Sequence, residues 1–245
     1  MNTASSAPLA LRFYQTLPHA CSYLDDQEAT TLFLDPQQLV TADVYNSLTQ
    51  LGFRRSGDYL YRPQCPTCHA CQSVRVRAAD FKPSRQQKRT LKRNQDLSWL
   101  AVAPLFNAEH YQLYEQYINS RHTDGDMHPA SEEQFRSFLL VDKAWASLVE
   151  FRDPTGKLVA VAAIDQLKDG LSAIYTFFDP EEKNRSLGVF AILWQLQQAT
   201  LMQLPYVYLG YWIKACKKMN YKQDYQPLEI LNQQTWQAFN KDPVG

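Results

Sequence analysis

Apolar side chains near the start of the chain repeat at the spacing of a helix face. The repeat follows Asp35-Pro36, is closed by Gly52, and consists of Leu39, Val40, Val44, Leu48 and Leu51. Aspartate caps first turns well, proline fits the first helical position, and glycine favours the residue after the last turn. The pattern therefore predicts a helix that Asp35 caps and that ends before Gly52.

The next apolar positions alternate with polar ones, as in half-buried strands. The segments GDYLYRP (57–63), QSVRVRAA (72–79) and SWLAVA (98–103) each predict a strand. In the second of them the valines share one face, while Arg75 and Arg77 share the other.

Three helix starts carry capping residues. Ser84 with Gln87 forms a capping box, Asn107 is a candidate cap, and Ser131 with Gln134 forms a second box. Each is followed by a segment long enough for a helix.

The second half of the chain predicts a strand meander followed by a long helix. WASLVEF, KLVAVAAIDQL and LSAIYTFF are apolar segments separated by DPTG and KDG turns. An apolar helix (186–204), a strand (206–211), a short helix (213–221) and a strand (226–230) follow. The order predicts an α+β fold with antiparallel or mixed sheets flanked by helices. We expect two halves, residues 1–125 and 126–245.

Composition limits the classes of protein. The chain has 245 residues, 45% of them hydrophobic, and a formal net charge of zero. This predicts a packed core and places any nucleic-acid site on a local basic surface. The first residues lack a signal-peptide pattern, and no apolar stretch is long enough to span a membrane. We therefore expect a cytoplasmic protein without membrane partners.

Three of the five cysteines lie within the heptapeptide CPTCHAC, at Cys65, Cys68 and Cys71. Clustered thiols in a reducing compartment favour metal binding over disulfides. Cys21 or His69 is the candidate fourth ligand, for zinc or an iron–sulfur cluster. A loop of reduced thiols is the alternative.

A local excess of basic residues follows the cysteines. Residues 75–93 hold eight basic side chains and one acidic one, Asp80. On a helix this run forms either a solvated face or a surface that contacts phosphates.

Arg185 and Gly188 lie at the start of the long helix. Exposed helix N–H groups and a nearby cation suit an anion. An ordinary helix cap is the alternative, and the single glycine argues against coenzyme A as the donor.

Several segments together resemble the arginyl-tRNA–protein transferase family. They are GFRRSGDYLYRPQCPTCHACQSVRV, FKPSRQQKRTLKRNQDL, YINSRHTDGDM, IYTFFDPEEKNRSLGVFAILWQ and YLGYWIKACKKMNYK. The likeness runs from Tyr14 to Leu228 and is strongest for the compact bacterial branch. It implies acetyltransferase-like (GNAT-like) halves and transfer of leucine from leucyl-tRNA to the N-terminal amine of proteins beginning with Asp or Glu. It also implies that Cys21 joins Cys65, Cys68 and Cys71.

The chemistry of such a transfer suggests roles for particular residues near the expected strand ends. Tyr175 is a candidate proton donor or a core aromatic, Asp179 a candidate for orienting the amine or a turn carboxylate before Pro180, and Tyr211 a third catalytic candidate. Arg75, Arg77 or Arg121 is expected to bind the substrate carboxylate. The expected tRNA-binding residues are Lys88, Arg89, Lys92, Arg93, Arg185, Gly188, Lys214, Lys217 and Lys218. Lys222 extends the last group, for which a solvated helix face is the alternative.

Three other functions fit part of the sequence. They are arginyl transfer, coenzyme A-dependent N-acetylation, and RNA binding without catalysis. The last two each leave either the basic helix or the second-half layout unexplained. Neither coenzyme A nor ATP is expected, because an aminoacyl ester is already activated.

Overall fold

The computed structural model describes residues 10–123, 125 and 127–239. Five α-helices are found in this part of the chain: α1 Ala42–Gln50, α2 Arg85–Arg93, α3 Ala108–Arg121, α4 Glu132–Leu139 and α5 Leu187–Leu201. A 3₁₀ helix spans Lys217–Asp224. The strands are β1 Phe13–Gln15, β2 His19–Ala20, β3 Glu28–Ala29, β4 Thr31–Leu34, β5 Arg54–Ser56, β6 Tyr59–Pro63, β7 Gln72–Arg77, β8 Ser98–Val102, β9 Ala146–Arg152, β10 Leu158–Gln166, β11 Gly170–Phe178, β12 Tyr206–Trp212, β13 Leu228–Asn232 and β14 Thr235–Ala238.

An eight-stranded sheet with the order β14-β13-β7-β12-β11-β10-β9-β8 forms the centre of the molecule. Adjacent strands within this sheet run antiparallel, except for β11 and β12, which run parallel. Strand β7, from the first third of the chain, lies between β12 and β13, which come from its C-terminal part. A smaller sheet, β1-β4-β6-β5, is formed by the N-terminal segment.

Helices cover both faces of the large sheet. Helix α5 packs with α2 on one face, where Leu193 and Leu196 contact valines of β7 and β12. On the other face, α3 and α4 pack against β9, β10 and β11 around Tyr114 and Phe135. Helix α1 and the smaller sheet pack near Tyr208 on β12. The predicted α+β class with mixed, helix-flanked sheets is confirmed.

Most predicted elements are present, but two boundaries were wrong. Thr41, not Asp35, caps α1. The Asp35 carboxylate instead pairs with Arg12 at 2.9 Å and accepts a hydrogen bond from the Gln37 N–H. The predicted helix at 213–221 is a 3₁₀ helix that begins only at Lys217.

The predicted helix caps are largely confirmed. Ser84 and Gln87 form both hydrogen bonds of the capping box, and Asn107 caps α3. Ser131 caps α4, but the Gln134 side chain accepts a hydrogen bond from the Tyr114 hydroxyl rather than completing a box.

The division into halves at residues 125 and 126 stays a prediction. Strands β7 and β8 of the first half belong to the same sheet as the meander of the second. No helix among the described residues is both long and apolar enough to cross a membrane.

Candidate functional site

Strands β11 and β12 run side by side over three residue pairs and then part. The last pair is Ser172 with Tyr208. At this point each strand has a bulge, at Ile174 on β11 and at Leu209 on β12. Bulges redirect strands and are common beside active sites. We call the space between residues 173–178 of β11 and 209–212 of β12 the wedge.

Two buried cations lie at the narrow end of the wedge. The Arg54 guanidinium, reaching over from β5, donates to the Ala173 carbonyl at 3.1 Å. The Lys222 ammonium donates to the Tyr211 carbonyl and lies 3.3 Å from the Met219 sulfur. Arg54 and Lys222 are only 7% and 5% exposed. Sequence reasoning missed Arg54, whose only signal was two adjacent arginines in a segment short enough to be a buried strand. It grouped Lys222 with Lys214, Lys217 and Lys218 as a phosphate contact and did not predict its burial.

Burial changes the acidity of Lys222. Loss of solvation, followed by repulsion from Arg54, lowers the pKa of Lys222 from 10.5 to about 7. Cys216 has a small opposing effect. The ammonium would therefore gain from an anion in the wedge.

The hydroxyl of Tyr211 is held by backbone. It lies 2.9 Å from the Gly52 carbonyl and 3.2 Å from the Tyr61 carbonyl, to which it donates. Burial raises the pKa of Tyr211 well above its usual value. Its backbone, by contrast, lines the wedge and binds Lys222.

The other two catalytic candidates are Tyr175, further along β11, and Asp179, the residue after its end, and they contact different neighbours. The ring of Tyr175 packs against Tyr117 of α3 and Phe138 of α4. Burial raises the pKa of Tyr175, so the phenol stays protonated and is a donor at neutral pH. The Asp179 carboxylate pairs with Lys157 at 2.6 Å.

Arg75 is buried in a polar network rather than exposed on a strand face. Its Nε lies 2.7 Å from the Glu229 carboxylate, and its guanidinium stacks 3.5 Å from the Tyr206 ring centre. Arg77 is half exposed and lies 3.3 Å from Asp80. Arg121 lies 5.3 Å from the Phe178 ring, at the wide end of the wedge. Their predicted role at the substrate carboxylate stays a prediction.

The predicted tRNA-binding residues lie on several surfaces. Lys88, Arg89 and Lys92 of α2 are exposed, whereas Arg93 donates to the Asn184 carbonyl. Lys217 and Lys218, in the first turn of the 3₁₀ helix, and Lys214 just before it are exposed as well.

Arg185 joins α2 to the start of α5. Its two Nη atoms each lie 2.9 Å from an Asp96 oxygen, and its Nε lies 3.2 Å from Glu182. A Cβ on Gly188 would lie 3.3 Å from the Phe178 ring, so this glycine allows α5 to approach β11 closely. The two helices with predicted anion contacts are thereby held together.

The four predicted metal-binding cysteines line one cavity of about 600 Å³, together with His69 and Tyr211. Burial, and then the neighbouring thiols of Cys21, Cys65 and Cys68, raises the pKa of Cys71 to about 12. The grouping of thiols is what a soft metal requires. However, no three histidine, cysteine, aspartate or glutamate side chains in the described ranges are arranged as ligands of one ion.

The mixed sheet, the parted parallel strands and the helix that connects them define an α+β protein with a cleft between two strands of its central sheet. Models of the N-terminal and C-terminal parts of arginine-tRNA-protein transferase match residues 19–89 and 109–232. The chain belongs to the arginine-tRNA-protein transferase family.

Curated relatives extend the similarity to nearly the full chain. The aspartate/glutamate leucyltransferase of Pseudomonas putida (strain GB-1) is 55% identical over 230 residues, covering 94% of this chain and 97% of that protein. The aspartate/glutamate leucyltransferase of Pseudomonas fluorescens has the same identity and coverage. Among solved structures, L-PGS from Bacillus licheniformis is 12% identical with a TM-score of 0.46, covering 82% of this chain and 68% of that one.

Proposed function

We propose that this protein transfers leucine from leucyl-tRNA to the N-terminal amine of proteins that begin with Asp or Glu. The product carries an N-terminal leucine, a degradation signal. The observation that carries the proposal is 55% identity to aspartate/glutamate leucyltransferases over 94% of the chain and 97% of those relatives. We assign the reaction to the cytoplasm, where aminoacyl-tRNA is supplied.

The reaction makes modest chemical demands. The amine attacks the ester carbonyl, a C–N bond forms, the bond to the ribose oxygen breaks, and a proton moves from nitrogen to that oxygen. An α-amine has a pKa of about 7.7–8, so part of it is neutral at pH 7. Positioning of the two substrates therefore supplies much of the rate.

The wedge supplies a place for this positioning. The bulges at Ile174 and Leu209 interrupt the strand pairing beside the wedge. A bulged residue is left out of the ladder, so its backbone groups are our candidates for binding the acyl group or the developing oxyanion. Tyr175, on the same strand, stays our candidate proton donor. Asp179 stays our candidate for orienting the amine, with Lys157 as its counter-charge.

The donor RNA is best accommodated along α2. Lys88, Arg89 and Lys92 are exposed on a helix that packs against α5. Arg185 fixes the end of α2 to the start of α5, beside Phe178 and the wide end of the wedge. A phosphate backbone lying along α2 would bring the acceptor end towards this opening.

The cysteines form a separate, structural part of the proposal. We assign Cys21, Cys65, Cys68 and Cys71 to one zinc ion or iron–sulfur cluster, because all four line the same cavity. Its lining also includes Tyr23 of the N-terminal segment and Tyr211 of β12. The bound group would hold this segment against the sheet, and no catalytic step is assigned to it.

A transfer assay with purified protein tests the function. Radiolabelled leucyl-tRNA and arginyl-tRNA are each mixed with peptides that begin with Asp, Glu, Lys or Ala. Leucine on the Asp and Glu peptides alone is the expected result. Arginine transfer would replace the leucyl assignment, and no transfer from either donor by folded, metal-supplied protein would refute both.

A further inference from the structure

Arg54 and Lys222 have no acidic partner in the part of the chain that the structure describes. Within the described ranges, no aspartate or glutamate oxygen lies within 4.0 Å of either cation. Their hydrogen bonds go to the carbonyls of Ala173 and Tyr211. A buried charge is normally paired, because leaving water is otherwise too costly. A buried guanidinium with a buried amine beside it points to an anion that the described residues do not provide.

The adjacent Arg55 shows how this chain treats a buried arginine that serves structure alone. Arg55 is 6% exposed, much like Arg54, yet its guanidinium binds both oxygens of Asp165 at 2.6 and 2.9 Å. Arg54 and Arg55 are neighbours on one strand and are equally buried, but only Arg55 pairs with a carboxylate among the described residues. Burial alone therefore does not explain why Arg54 has no such partner there.

Gly210 leaves room between the two cations. Its φ of +80° is a conformation that favours glycine. A Cβ placed on it would lie 3.7 Å from both Arg54 Nε and Lys222 Nζ. The two cations thus flank one point beside the β12 backbone, at the end of the wedge where β11 and β12 separate.

We propose that Arg54 and Lys222 bind the side-chain carboxylate of the N-terminal Asp or Glu of the acceptor protein. This inference rests on the proposed function and assigns its acceptor specificity to a site other than Arg75, Arg77 and Arg121. An arginine fork and an ammonium suit the two oxygens of a carboxylate. Neutralising two buried charges also gives a carboxylate a large advantage over the neutral amides of Asn and Gln.

The burial of both cations favours a carboxylate over an RNA phosphate. A phosphodiester continues in both directions and needs an open groove, whereas an N-terminal residue enters end first. The basic residues that suit RNA are the exposed ones of α2 and of the segment 214–218, whereas Arg54 and Lys222 are buried. The parted strands also present backbone edges on both sides of the site, which suit the first peptide groups of an acceptor.

A charge-matched comparison of enzymes and acceptors tests the proposal. Transfer is measured as kcat/KM for the wild type, Lys222→Met and Arg54→Met, each with peptides beginning Asp, Asn, Glu and Gln. Lys168→Met serves as control, because Lys168 is an exposed lysine on the turn between β10 and β11. Leucyl-tRNA affinity is measured for every variant.

The expected result is a loss confined to acidic acceptors. Removing one partner of a buried charge pair costs upward of about 2 kcal/mol, which corresponds to ~30-fold. The Asp/Asn and Glu/Gln ratios of kcat/KM should fall by at least ~30-fold in Lys222→Met and Arg54→Met. Lys168→Met should keep the wild-type ratios, and leucyl-tRNA affinity should not change.

The comparison separates this site from the function on which it rests. Absence of transfer by the wild type would overturn the proposed function. Transfer by the wild type with unchanged acceptor ratios in both variants would overturn only the carboxylate site. Loss of leucyl-tRNA affinity with unchanged ratios would overturn it as well and assign the cations to RNA phosphate. A general loss of folding lowers all four acceptors alike and so cannot imitate the expected change in ratio.

Discussion

Arg55 on β5 and Asp165 on β10 form a two-contact ion pair, at 2.6 and 2.9 Å, with both side chains buried. Tyr45 of α1 donates its hydroxyl to the same carboxylate at 2.6 Å. The pair joins the smaller N-terminal sheet to the central sheet. The N-terminal segment is thus held against the central sheet by an ion pair as well as by apolar packing.

We expect Arg55→Met to lower the free energy of unfolding by about 3–5 kcal/mol, because Asp165 would be left as an unpaired buried charge. Chemical denaturation measures the change. Arg136→Met is the control, since its pair with Glu132 is about half exposed and should contribute under about 1 kcal/mol. Equal losses in the two variants would contradict the importance given to burial.

Neutralising Lys88, Arg89 and Lys92 to Gln should weaken leucyl-tRNA binding and its dependence on salt. Each lost phosphate contact removes about 0.7–0.9 from the slope of log affinity against log salt. The slope should therefore fall by ~2 to 3 in a filter-binding titration. Lys168→Gln, which removes one exposed charge elsewhere, should leave the slope unchanged. An unaltered slope in the triple variant would show that these three side chains of α2 face solvent and do not contact phosphates.

Lys222 should make stability rise with pH. Its folded pKa, about 7, lies below the 10.5 of the unfolded chain, so only the unfolded state keeps the proton between these values. Unfolding therefore takes up a proton in this window. Below pH 7 the buried Lys222 ammonium lowers the free energy of unfolding by its full amount, and this loss of stability disappears as the pH rises towards 10.5. The groups facing Lys222 are Arg54 of β5, Tyr211 of β12, and Cys216 and Tyr221 of its own segment.

Denaturation of wild type and Lys222→Met between pH 6 and 10 measures this effect. The difference in unfolding free energy should change by a few kcal/mol across the window, on the order given by the pKa shift. Parallel pH profiles would show that the Lys222 ammonium keeps its ordinary acidity when folded.

Binding of zinc at the cysteines should release protons. Burial and neighbouring thiols hold the pKa of Cys71 near 12, so this group is a neutral thiol at pH 7 and must ionise to become a ligand. Calorimetric zinc titrations in buffers of different ionisation enthalpy count the released protons. Cys71→Ser should lower the affinity, while Cys216→Ser should not. Equal effects of the two substitutions would exclude the assigned ligand set.

Substitutions of the two candidate catalytic tyrosines, Tyr175 and Tyr211, should affect different properties of the enzyme. Tyr175→Phe should slow single-turnover transfer by ~10²-fold or more, as expected on loss of a general acid, without changing leucyl-tRNA affinity. Tyr211→Phe removes hydrogen bonds to the Gly52 and Tyr61 carbonyls and should cost about 1 kcal/mol of stability. A Tyr175→Phe enzyme with the wild-type rate would make this ring a packing residue.

The second half of the fold was predictable because its signals are local. Apolar runs separated by DPTG and KDG turns give the meander, and the long apolar helix follows it directly. At the start of α1, by contrast, Asp35 pairs with Arg12 of β1's neighbouring segment, and Thr41 caps the helix instead. The pattern around Asp35 does not reveal a partner 23 residues earlier in the sequence.

The candidate site was predictable only in part. The cysteines can be recognised from their spacing. Arg54 and Lys222, however, are far apart in the sequence, and neither lies in a recognisable motif. Their importance comes from burial, which neither residue type suggests. Arg75 shows the reverse: its alternation with valines predicts an exposed face, yet Tyr206 and Glu229 cover it.

The position of β7 determines when the central sheet can form during synthesis of the chain. Val74 of β7 pairs with Gly210 of β12 on one side and Ile230 of β13 on the other. Both partners are translated long after β7, so its edges stay open through most of synthesis and its closure has a high contact order. A chain released before β13 would leave a valine-rich strand edge uncovered, which is a site for aggregation.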